Sequence, residues 1–324
     1  MRPRTTLSLA VAAFALTVAA APAARASTVS VRNGTFTGSD GDTRLRSVLS
    51  YKASPGEENE LTLTTLNATS SNEAPFLVSD PGAPIQPGSG CTPVNTHVAR
   101  CTASAASCPK CDVDVWSIGA RVRLGDKADN LRATDANLDD NRFDGGPGAD
   151  FIRGSGSYDT IVVDDAGGAP ATDTVDGGGG GDAVSYARRK SGVRVNLSAA
   201  TGGAGGKEDV LANIADVTGG RGNDVLIGNA FRNVLRGGRG KDRINGKARN
   251  DRIDGGSNAD KLKGGAGRDW IRGGSGRDSL SGGSGRDKLF SRDRSRDRVD
   301  GGGGRDRCRA DKRDLVSRVE TVRR

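Results

Sequence analysis

The sequence predicts an all-β fold, a parallel β-roll (a β-helix solenoid) of nonapeptide repeats preceded by a small β-rich N-terminal domain. Three observations carry this. A nine-residue pattern runs without a gap from Gly219 to Phe290, as GGRGNDVLI, GNAFRNVLR, GGRGKDRIN, GKARNDRID, GGSNADKLK, GGAGRDWIR, GGSGRDSLS and GGSGRDKLF. Glycine supplies 49 of 324 residues, against a hydrophobic content of 34% and an aromatic content of 4%. That is too little apolar material for a thick core, and glycine at strict spacing separates the chain from a disordered one. Position 8 of the unit is aliphatic almost throughout, so each unit offers one short strand with one inward side chain.

Residues 1–26 read as a secretory signal peptide. Arg2 and Arg4 are followed by an apolar stretch from Leu7 to Ala21 and by Ala24-Arg25-Ala26 before Ser27, which places cleavage near Ala26. The stretch is shorter than the roughly 18 apolar residues of a membrane span, so the mature chain is expected outside the cytoplasm, secreted or at the cell surface, without membrane insertion.

Residues 27–120 are expected to form the small β-rich domain. Thr28–Val31, Val48–Tyr51, Glu60–Leu66 and Phe76–Val78 read as short strands between Gly, Pro, Asn and Ser turns. Cys91, Cys101, Cys108 and Cys111 lie close together, and disulfides are favoured in an exported chain. Cys91 with Cys101 and Cys108 with Cys111 is one pairing; a zinc site on Cys108-Pro109-Lys110-Cys111 is the alternative.

A first, degenerate repeat block spans 121–185. Val113–Trp116 and Arg121–Leu124 look like strands leading into it, and Leu124–Leu131 like a degenerate first coil. GGPGADFIR (145–153), GSGSYDTIV (154–162), GAPATDTVD (168–176) and GGGGGDAVS (177–185) then follow the pattern. Residues 186–218 break the register as a strand-bearing insertion expected to widen the roll without ending it. Val193–Leu197 reads as an edge strand there, and the Leu211, Ile214, Val217 spacing as a further short element. The main block covers 219–309, with RDRSRDRVD and GGGGRDRCR following an inserted Ser291. Cys308 falls on the inward position and reads as a small buried apolar residue. Residues 310–324 are expected to form an irregular cap.

The GGxGxDxUx unit is the signature of calcium-binding parallel β-helices, and the chain resembles the RTX, or hemolysin-type calcium-binding repeat, family. The resemblance implies two nonapeptides per coil. It also implies Ca²⁺ held between stacked coils by carbonyls of the glycine-rich loops and by position-6 aspartates of repeats n and n+2. Carried onto this sequence, the aspartates are Asp224, Asp242, Asp260 and Asp278 on one edge and Asp251, Asp269 and Asp287 on the other. The loop glycines are Gly220, Gly222, Gly238, Gly240, Gly265, Gly267, Gly274 and Gly276. Stacked strands about 4.8 Å apart would bring like charges together, and a divalent cation with hard oxygen ligands turns that repulsion into coordination. Asn233 replaces an aspartate, with Phe231 and Ala248 replacing glycines nearby, so that position is expected to hold no ion. Ser291 puts Asp297 and Asp306 in question.

No catalytic site is expected. His97 is the only histidine, which excludes an HExxH zinc site and argues against a Ser-His-Asp triad; neither a GxSxG elbow nor a GxxxxGK[ST] loop occurs. An exported calcium-binding protein with a structural or interaction role is therefore the leading reading, with an accessory domain of a secreted hydrolase trailing it. From Gly219 onward 28 Lys or Arg face 15 Asp or Glu, which raises a second reading, binding of an anionic cell-wall or extracellular polymer. Nucleic acid is disfavoured because no aromatic set interleaves with the charges. Arg243, Arg252, Arg268, Arg277 and Arg286, beside the aspartates in sequence, are expected to screen them and weaken the calcium dependence.

Overall fold

The computed structural model describes residues 26–37, 43–65, 73–81, 83–104, 117–133, 140–163, 171–204 and 207–324. The leader expected before Ser27, together with Cys108, Cys111 and Val113–Trp116, lies outside the described residues.

All regular structure among the described residues is β-strand, arranged in two sheets of 14 and 16 strands. Alternate repeats feed opposite sheets. Val234–Arg239 pairs in parallel with Arg252–Ser257 in the first sheet, and Arg243–Ala248 with Lys261–Gly267 in the second. The register is 18 residues, Leu235 opposite Ile253 and Ile244 opposite Leu262, so two nonapeptides do make one coil. Strands this short cannot bury two faces. Position 8 turns inward, positions 7 and 9 turn out, and the core is a column of Leu226, Leu235, Ile244, Ile253, Leu262, Ile271, Leu280, Leu289, Val299 and Cys308, each at most 2% exposed. Each fully buried aliphatic side chain contributes about 1.5–3 kcal/mol.

The N-terminal strands join the same two sheets. Thr43–Lys52 pairs in parallel with Ser117–Arg123, and Glu60–Thr65 with Asn130–Ala133, so one apolar cluster runs from Val29 to Ala310. Antiparallel strands close this end: Ser27–Thr37 on one sheet, and Glu73–Ser79, Val98–Ser104 and Cys91–Asn95 on the other. A disulfide joins Cys91 to Cys101 across the last pair.

The insertion enters the second sheet. Arg194–Asn196 pairs in parallel with Val225–Ile227 and antiparallel with Thr201–Ala204, so it is an internal strand and not the expected edge. Lys207–Ala212 then pairs with Thr174–Asp176. Between flanking coils this sheet gains three strands where the other gains only Ile214–Thr218, which widens one side of the roll. The extra interior is filled by Tyr186, whose hydroxyl donates to Asp209 Oδ2 at 2.8 Å. The tail is more regular than expected: Leu315–Ser317 and Thr321–Arg323 each add one parallel strand.

Candidate metal centre at the coil edges

Position 6 ends each glycine-rich turn, and its side chain points into the edge of the roll. The backbone N–H of Asp224 donates to Asp242 Oδ1, that of Asp242 to Asp260 Oδ1, both at 2.8 Å, and that of Asp260 to Asp278 Oδ1 at 2.9 Å. On the other edge the N–H groups of Asn233, Asp251 and Asp269 donate to Oδ1 of Asp251, Asp269 and Asp287, each at 2.8 Å. Each carboxylate thus braces the coil before it, an ordinary turn role for aspartate. Only one oxygen is used that way.

The second oxygen is the unusual one. Oδ2 of Asp242, Asp251, Asp260, Asp269, Asp278 and Asp287 is buried and accepts no hydrogen bond. Burial pushes the carboxyls of Asp242 and Asp251 up to about 7 and that of Asp260 up to about 8, with the neighbouring coil's carboxylate adding to each shift. An unsatisfied buried acceptor costs about 1–3 kcal/mol. A series of them rivals the about 5–15 kcal/mol margin of a whole domain, so the row calls for a proton or a cation.

The surroundings fit a hard cation. A Cβ on Gly237 would collide with both Asp242 Oδ2 and the Gly255 carbonyl oxygen, and one on Gly264 with Asp269 Oδ2 and the Gly282 carbonyl. Position 1 therefore leaves a cradle between a carboxylate and the next coil's carbonyl. Among the described residues no three Asp, Glu, His or Cys side chains converge on one point. A cation here must draw much of its shell from backbone carbonyls, as Ca²⁺ does with its six to eight oxygen ligands and soft metals do not.

Loop conformation separates most of the aspartates. In most loops positions 2 and 4 are left-handed, as at Gly238 (φ 108°) and Gly240 (φ 110°) or Gly274 (φ 103°) and Gly276 (φ 133°), and Oδ2 stays unpartnered. Outside the loop at 292, whose one left-handed residue is Arg294 at position 3 and whose Asp297 Oδ2 is unpartnered, three described loops, those beginning at 154, 219 and 228, have neither position left-handed. In them the position-2 amide turns inward: Ser155 N–H donates to Asp159 Oδ2 at 2.6 Å, Gly220 N–H to Asp224 Oδ2 at 2.6 Å, and Asn229 N–H to Asn233 Oδ1 at 2.9 Å. Asn233 Nδ2 also donates to the Ala215 carbonyl at 2.7 Å. Asn233 is thus self-sufficient, and Asp224, placed among the ligands by its motif, has both oxygens occupied, Oδ1 by Val193 N–H.

Two further points differ from the sequence reading, and Asn258 adds a third feature of the loops. The left-handed residues of the repeat at 246 are Lys247 (φ 84°) and Arg249 (φ 71°), not Ala248; the coil beneath them is the self-sufficient loop at 228. Asn258 (φ 83°) takes the left-handed turn that glycine takes elsewhere, so its loop is intact. Ser291 is absorbed as a buried residue donating to Asp314 Oδ2, and the ladder continues with a 19-residue step from Asp278 to Asp297 and from Asp287 to Asp306. The arginines expected to screen the aspartates are exposed. Arg243, Arg252, Arg268, Arg277 and Arg286, at positions 5 and 7, point to solvent, away from the buried position-6 carboxylates.

Sequence reasoning also left out the upstream ladder. Asp129 N–H donates to Asp150 Oδ1, Asp150 N–H to Asp173 Oδ1, and Asp159 N–H to Asp182 Oδ1. Oδ2 of Asp129, Asp150, Asp173, Asp182, Asp297 and Asp306 is buried and unpartnered, with Asp150 and Asp182 pushed up to about 7 and Asp173 to about 8 by burial. The signal was present: GGPGADFIR meets every position of the repeat.

The RTX calcium-binding nonapeptide repeat family, in four copies, matches residues 135–165, 218–253 and 254–289. No curated protein matches the chain. The chain carries RTX calcium-binding repeats, and these imply Ca²⁺ as its cofactor.

Proposed function

We propose that this carrier of RTX calcium-binding repeats is an exported protein, cleaved near Ala26, whose roll is stabilised by Ca²⁺ and serves a structural or interaction role outside the cell or at its surface. The row of buried, unpartnered Oδ2 atoms carries this reading. The ions would be held by Asp242, Asp260, Asp278 and Asp297 on one edge and by Asp251, Asp269, Asp287 and Asp306 on the other, with Asp129, Asp150, Asp173 and Asp182 forming a second set upstream. The loops at Asp224 and Asn233 would take up little. Loop carbonyls beside Gly238, Gly240, Gly265, Gly267, Gly274 and Gly276 would complete the shells, whereas those beside Gly220 and Gly222 lie in the self-sufficient loop. Extracellular calcium modules bind at about 10⁻⁴ to 10⁻³ M, and site formation coupled to folding makes binding energy folding energy.

Export is supported by the signal-like leader and by the Cys91–Cys101 disulfide, a bond of oxidising compartments. Isothermal titration with Ca²⁺, alongside circular dichroism in chelator, tests the reading. Several ions bound per chain with a gain of β-structure or thermal stability supports it; unchanged stability with no heat of binding overturns it. The N-terminus of the mature protein, read by mass spectrometry, tests cleavage before Ser27.

A further inference from the structure

The two outer faces of the roll differ. From Val234 to Arg323 the outward columns of the first sheet hold seven cations against one carboxylate, Asp254. The matching columns of the second sheet, Val225 to Ser317, hold four against one and no aromatic residue. Two rings, Trp270 and Phe290, stand among the cations of the first sheet on adjacent strands, centroids 5.0 Å apart. Arg252 stacks on Trp270 with Cζ 4.0 Å from the centroid, and Arg309 on Phe290 at 5.9 Å.

Arg252, Trp270, Phe290 and Arg309 thus form one row across four successive strands. A guanidinium lying on a ring keeps its edge N–H donors free while losing rotamer freedom, so less entropy remains to be lost when it grips an anion. Among the described residues no ion pair engages Arg252 or Arg309; Arg272 beside them is 3.8 Å from Asp254. The face borders an open groove of about 840 Å³ lined by Arg236, Arg252, Arg272, Arg292 and Arg309 against the carboxylates Asp254 and Asp293. Strands about 4.8 Å apart repeat the cations along the roll axis, which matches a linear polymer with regularly spaced anionic groups. The rings are stacked upon by their own neighbours and do not form a ladder of free platforms, which is what single-stranded nucleic acid uses.

We propose that this face docks an anionic polysaccharide, whose sulfate or carboxylate groups are gripped by Arg252 and Arg309 held in place by Trp270 and Phe290. The proposal deepens the interaction role above and rests on the roll being folded in calcium. It is tested on the full chain in saturating Ca²⁺ by calorimetry with a heparin-derived oligosaccharide and, separately, a thymidine oligonucleotide of equal charge. Circular dichroism of the same samples reports the fold, so loss of calcium coupling and loss of docking are read independently. Arg252→Ala with Arg309→Ala should weaken heparin binding about a hundredfold, as expected for two charge-assisted contacts. Trp270→Ala, which removes no charge, should weaken it about tenfold through the lost stacking; Arg252→Lys, which preserves both charge and fold, should lower affinity in the same direction. Arg243→Ala with Arg298→Ala on the opposite sheet should change it little. Absence of heparin binding, equal losses on the two sheets, wild-type affinity in both Trp270→Ala and Arg252→Lys, or tighter binding of the oligonucleotide each overturns the proposal.

Discussion

Loops 228–233 and 246–251 lie on the same edge of the roll, one coil apart, and solve the same problem in opposite ways. In the first, Asn233 replaces the aspartate, the Asn229 amide turns in to meet it, and its own amide reaches the Ala215 carbonyl. In the second, Lys247 and Arg249 accept left-handed backbone, and Asp251 Oδ2 is left buried without a partner. A left-handed non-glycine residue costs about 1–2 kcal/mol, and a buried acceptor without a partner about 1–3 kcal/mol. The loop that bears both costs is the one built to receive something from solution. The loop that bears neither is complete as it stands.

Calcium removal should open that difference furthest. With free Ca²⁺ at a hundred times the dissociation constant, each site stabilises the fold by about 2.7 kcal/mol. Chelation should therefore strip hydrogen-exchange protection from the coils between 237 and 309, while amides around 219–234 lose less. Uniform loss would remove the distinction.

Asp260→Ala should come next. Asp260 Oδ1 supports Asp242 and its own amide reaches Asp278, so the change disturbs two neighbouring sites; a loss of about 2–4 kcal/mol in Ca²⁺ and a lower calcium stoichiometry by titration are expected. Asp224→Ala should leave stoichiometry unchanged. The converse variant, Asn233→Asp with Asn229→Gly and Phe231→Gly, should gain one ion.

The pH response should be similar in size and opposite in sign with and without metal. Asp242 and Asp251 titrate near 7 and Asp260 near 8 in the metal-free fold, against about 3.9 when unfolded. The folded chain binds more protons in between, so metal-free stability is full below pH about 4 and is lost as pH rises through about 8. Protons and Ca²⁺ compete for the same oxygens, so calcium affinity should fall as pH drops below about 7. Urea midpoints at pH 5 and pH 8, with Ca²⁺ and with chelator, check both signs.

The smallest effect should come from the backbone alone. Lys247→Gly relieves a φ of 84° and should stabilise the roll by up to about 1 kcal/mol. Gly265→Ala, at φ 118° with a Cβ that would strike the Lys247 carbonyl, should destabilise it by more. Thermal melts in Ca²⁺ rank the pair.

Much of this was legible in the residues. The nine-residue period determined the parallel roll, its inward column and the position-6 ladder, because a one-residue slip would turn every Leu and Ile out to solvent. It also marked Asn233 as the odd position. Local pattern could not reveal features made by distant segments. Leu124–Leu131 was readable as a coil, but Asn59 entering the same ladder through Asp129 Oδ1 depends on residues 70 apart in the chain. Asp224 looks like its neighbours in sequence; only the insertion packed over it, with Val193 donating to its carboxylate, takes its oxygens out of play. The row of Arg252, Trp270, Phe290 and Arg309 is likewise spread over 58 residues of chain and becomes a row only when an 18-residue coil stacks position 7 and position 9 side chains on adjacent strands. Periodicity sets which way each side chain faces, and stacking alone decides what it meets there.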